Sequence, residues 1–84
     1  MNNLMSDLNT KQIRFIADEC GIEMNAVKEA DDKKAYKLYE CMCDIEVEET
    51  IKAGDNDLSE RGKLAEKIVT IVGNKIRNIK GYPI

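Results

Sequence analysis

The side chains with the widest chemical reach in this sequence are three cysteines, Cys20, Cys41 and Cys43, set among sixteen carboxylates with no histidine. Without imidazole the chain lacks the usual general base near neutral pH and the commonest transition-metal ligand, which argues against an enzyme. Cys41 and Cys43 stand two apart, so on a helix their side chains diverge by about 200° and cannot grip one ion together. A zinc site would need further ligands. Cys20 is the one remaining thiol, so neither metal nor cofactor is expected. No apolar signal-like stretch precedes the cysteines, which makes reduced thiols in the cytoplasm the expectation.

The acids invite a comparison with a calcium-binding loop. Asp55, Asp57, Ser59 and Glu66 fall at positions one, three, five and twelve of a calcium loop. That pattern needs glycine at position six and an apolar residue at position eight, where this chain has Glu60 and Gly62. A capping box from Asp57 to Glu60 explains the same acids without an ion. The other carboxylates fall on polar helix faces, where solvation accounts for them.

The elements that would position these groups are helical. Asn9 and Gln12 form a capping box with Leu8 as a staple onto Ile13, and Ile13, Ile16, Ala17 and Cys20 recur at helical spacing up to Gly21. Met24 to Ala30 is a short second helix facing inward through Val27 and Ala30. Asp31 or Asp32 caps a third helix, with Ala35, Leu38, Tyr39, Met42 and Ile45 inside and Tyr36 and Cys43 widening that face. Its opposite stripe, Lys34, Lys37, Cys41, Asp44 and Glu48, predicts an exposed Cys41 and a buried Cys43. Lys52 to Asn56 is a loop, and Leu64, Ala65, Ile68, Val69, Val72, Ile76 and Ile79 trace a fourth helix to Asn78. The β-branched run at 68–72 also fits a strand, but helical spacing continues on both sides of it. The longest apolar run is far shorter than the roughly 20 residues that cross a bilayer.

These elements predict an all-α, single four-helix domain over residues 1–84, an N-terminal helix pair packed on two longer antiparallel helices. Residues 1–8 and 80–84 are expected to be flexible ends. The predicted core is Ile16, Leu38, Met42, Ile45, Ile68 and Val72.

Net charge is −3 and unevenly spread. Residues 31–52 hold four bases against seven acids, whereas 53–84 hold six bases against four acids. A net acidic monomer is poorly equipped for non-specific nucleic-acid binding, although a homodimer could concentrate the basic end. Glu40, Asp44, Glu46, Glu48 and Glu49 form the candidate surface for a basic protein partner.

Ala17, Gly21, Ile22 and Val27 match the small residue, turn glycine and locking apolar positions of the helix-turn-helix family, which this quarter of the chain resembles. The resemblance implies a DNA-binding regulator, with Asn25 reading adenine and Lys28, Lys33 and Lys34 on the phosphate backbone. Glu23 and Glu29 depart from that pattern by aiming carboxylates at phosphates. Residues Met42 to Gly73 also resemble short bacterial proteins of no known activity, which transfers no function. The sequence therefore favours a non-catalytic protein-binding module, with operator binding as the alternative.

Overall fold

Four side-chain and backbone signals set the helix ends. In the computed structural model, which describes residues 4–78, Asn9 accepts from the Gln12 N–H at 2.8 Å while Gln12 Oε1 accepts from the Asn9 N–H at 2.9 Å. This reciprocal box starts α1, Thr10–Cys20. Gly21 ends it at φ 68°, a left-handed conformation that suits a residue without Cβ. The Ile22 N–H then bonds the Ala17 carbonyl at 3.0 Å and turns the chain into α2, Met24–Lys28. Asp31 caps α3, Asp32–Ala53, by accepting from the Lys34 N–H at 2.8 Å.

The cap of α4, Glu60–Arg77, differs from the expected Asp57 box. Ser59 is the N-cap, its hydroxyl accepting from the Gly62 N–H at 3.1 Å. The stretch 68–72 is helical throughout. All-α architecture is thus established, with four helices and no strand among the described residues.

Helices α3 and α4 make the most extensive interface. They run antiparallel: Glu49 lies beside the start of α4 and Tyr39 beside Gly73 near its end. Helix α1 packs on α2 and crosses both long helices. All six expected core residues are buried, and Ala65, Ile76, Val27, Ala35 and Ala30 join them. Tyr39, Tyr36 and Cys43 are only half-buried, so the inner face of α3 is narrower than its sequence pattern.

Of the end expected to be flexible, Leu4 and Met5 are 1% and 2% exposed and Leu8 is also buried. An ion pair from Lys75 to Asp7 at 3.3 Å sets this segment beside the far end of α4. Residues 80–84 and Ile79 lie outside the described residues. No described helix is long and apolar enough to cross a membrane.

Candidate functional site

Gly62 controls how closely α3 and α4 meet at the loop end of the bundle. A Cβ placed there would stand 2.9 Å from Glu49 Cβ and 2.6 Å from Leu58 Cγ, closer than side chains pack. The approach brings Glu49, buried at 8% exposure, under the first turn of α4. Its carboxylate accepts from the Ser59 hydroxyl at 2.7 Å and from Arg61 Nη1 at 2.8 Å. Arg61 also grips Glu19 on α1 with two bonds, Nε to Oε2 at 3.1 Å and Nη2 to Oε1 at 2.8 Å. Its Nη1 reaches Glu48 as well, at 3.3 Å, and Lys52 lies 3.1 Å from Glu48 and 3.5 Å from Glu49. One guanidinium therefore joins three helices.

The titration behaviour follows from these partners. The hydrogen bond from Arg61 holds the Glu19 carboxyl below its ordinary value. The Ser59 hydroxyl, followed by Arg61 and Lys52, does the same for Glu49 against the opposing effect of burial. Lys52 and then Arg61 lower Glu48, while Glu19 and Glu49 hold the Arg61 proton more firmly still. Carboxylates held this way resist taking up a proton, so the cluster is a clamp rather than an acid–base pair.

The acidic set Glu40, Asp44, Glu46, Glu48 and Glu49 is consequently not one surface. Glu49 points inward to Ser59, Glu48 is engaged at the edge by Arg61 and Lys52, and Glu46 is half-buried. Glu40 and Asp44 are exposed one turn apart on the outer face of α3. That stripe continues into Val47 and Ile51, the exposed large apolar residues, at 57% and 74% exposure. The sequence carries this signal as Glu40, Asp44, Val47 and Ile51 at three-to-four spacing, opposite the buried Leu38, Met42 and Ile45.

At Gly21 the chain makes the left-handed turn where the helix-turn-helix resemblance places a glycine, and the α2 that follows has five residues. Asn25 and Lys28 are exposed on it, while Lys33 and Lys34 belong to the first turns of α3. Together with Lys37 and the capping Asp31, these two lysines line a shallow open depression of about 320 Å³. Glu23 and Glu29 are exposed beside Asn25 and Lys28, so the segment carries both signs.

The thiols depart from expectation. Cys41 is not exposed and Cys43 is not fully buried; all three cysteines are half-buried. The cause is α1, whose last residue, Cys20, lies against the supposed polar stripe of α3 with its Sγ 3.3 Å from that of Cys41. Cys43 lies on another side of α3, where burial pushes its thiol up. No group of three metal-ligating side chains converges among the described residues. Compared with known proteins, the chain matches no family model, no curated protein and no solved structure.

Proposed function

We propose that this chain is a non-catalytic protein-binding module that docks a basic amphipathic segment on the outer face of α3. The observation that carries the reading is the pair Val47 and Ile51, large apolar side chains one turn apart on the face opposite the core. Burying them against a partner removes apolar surface from water. Glu40 and Asp44, on the same stripe, supply the charge that selects lysines or arginines flanking an apolar strip. Glu48 and Glu49 serve the interior clamp instead and keep α3 in place beneath the stripe.

The test is a titration of the isotopically labelled full chain with a synthetic helical peptide of leucines and lysines, followed by amide NMR. Shifts should concentrate at residues 40–51, weaken with added salt, and vanish when Val47 and Ile51 are both replaced by Ser. Random duplex DNA is the counter-probe. Shifts at Asn25, Lys28, Lys33 and Lys34 on DNA, with none at 40–51 on the peptide, would replace this reading with operator binding.

A further inference from the structure

Two thiols from different helices meet at the crossing of α1 and α3. Cys20 Sγ and Cys41 Sγ are 3.3 Å apart, both half-buried, and 21 positions apart in the chain. A disulfide needs its sulfurs at about 2.05 Å, so closure asks for about 1.3 Å of movement. Cys20 is the last residue of α1 and is followed by the Gly21 turn, where such a shift involves a helix end rather than a helix interior. Cys43 is poorly placed to compete, because residues two apart on a helix point about 200° from one another.

We propose that Cys20 and Cys41 form a reversible disulfide that staples α1 to α3 when the protein meets a peroxide. The two sulfurs are already in S–H···S contact. Burial, aided by that contact, pushes the Cys20 thiol up to about 12, so Cys20 keeps its proton while Cys41 reacts. The Cys41 thiolate attacks one peroxide oxygen, the O–O bond breaks, and hydroxide leaves and takes up a proton as water. Cys41 is now a sulfenic acid beside Cys20. The Cys20 sulfur attacks the Cys41 sulfur, the S–O bond breaks, and the departing hydroxide leaves as water with the Cys20 proton. Overall, two thiols are oxidised by two electrons, one hydrogen peroxide is reduced, and two waters form.

The full reduced chain is treated with a two-fold molar excess of hydrogen peroxide, enough to carry one thiol to sulfinic acid if no bridge forms, then alkylated with N-ethylmaleimide and analysed by intact mass and peptide mapping. The expected product loses two hydrogens, carries one alkyl group, on Cys43, yields a linked Cys20–Cys41 peptide, and is restored by dithiothreitol. Its melting midpoint should rise by roughly 10 °C, since the bridge restricts the unfolded chain. Cys43→Ser should bridge as the parent does, whereas Cys20→Ser should leave Cys41 to proceed to sulfinic acid. Four results would each overturn the proposal: a bridge that includes Cys43, disulfide-linked dimers, a sulfinic Cys41 beside an alkylated Cys20 in the parent chain, or a bridged form that melts no higher. The Cys43→Ser variant retains both relevant thiols and keeps the test decisive even if Cys20→Ser fails to fold.

Discussion

Replacing Gly62 with Ala sets two physical effects against each other. Alanine is intrinsically the better helix residue by up to about 1 kcal/mol. Against this, the new methyl would lie 2.6 Å and 2.8 Å from Leu58 Cγ and Cδ1 and 2.9 Å from Glu49 Cβ. Leu58 sits in the connecting loop and can rotate. Glu49 Cβ cannot yield in that way, because the α3 backbone fixes it and Ser59 and Arg61 hold its carboxylate. Restoring an ordinary carbon–carbon separation requires α4 to move away by about 0.6 Å or more. Overpacking of this kind costs about 1–3 kcal/mol, and with three contacts inside 3.0 Å the upper part of that range, about 2–3 kcal/mol, applies, so the net effect is a loss of roughly 1–2 kcal/mol after the helix gain. In a chain of this length that lowers the melting midpoint by roughly 5–15 °C. Gly73 is the internal control: its added methyl would meet Tyr39 Cε1 at 3.3 Å and the hydroxyl at 3.4 Å. The Tyr39 ring is half-buried and can swing, so Gly73→Ala should be neutral or gain up to about 1 kcal/mol. Thermal and urea denaturation followed by circular dichroism reads both. A Gly62→Ala chain as stable as its parent would show that α3 and α4 do not approach as closely as described.

Leu38→Ala should cost about 2–5 kcal/mol in urea denaturation, since a buried side chain leaves a cavity between the long helices. An unchanged midpoint would mean that α3 is turned differently. Met5→Ala should cost a comparable ~2–5 kcal/mol, although the residue lies before the first helix; a change under ~0.5 kcal/mol would show that this segment adds nothing to the core. Stability should hold as pH falls towards 4.5, the ordinary value of the Glu19 and Glu49 carboxyls, and then drop as pH passes through their lowered folded values. Arg61→Met should lower stability at neutral pH and flatten that acid limb. An identical limb in the variant would assign it to other carboxylates.

Helix ends with local causes were legible in the sequence. Asn9 with Gln12, Gly21 and Asp31 act within a few residues of themselves, and all three act where their residue types place them. Ser59 was obscured because Asp57 offers a better local pattern, with Glu60 three residues on. The choice is made by α3, whose Glu49 takes the Ser59 hydroxyl. Glu49 itself looks like any surface acid until Gly62 brings α4 over it. Cys41 fails for a related reason: periodicity assigns it to a polar stripe of α3, and only tertiary packing reveals that the end of α1 covers that stripe. Of the expected acidic surface, the outward pair Glu40 and Asp44 remains. The apolar half, Val47 and Ile51, needed the fold to show that nothing in the described chain covers it.

The pairing of Asp7 with Lys75 also has a kinetic consequence, because these residues are far apart in sequence but adjacent in the folded chain. On a ribosome that adds about 5–20 residues per second, several seconds separate the synthesis of one from that of the other. Throughout that interval Leu4, Met5, Leu8 and the inner side of α1 have no fourth helix to cover them. These residues therefore gain that cover only once α4 has been made, later than the contacts of α1 with α2 and α3.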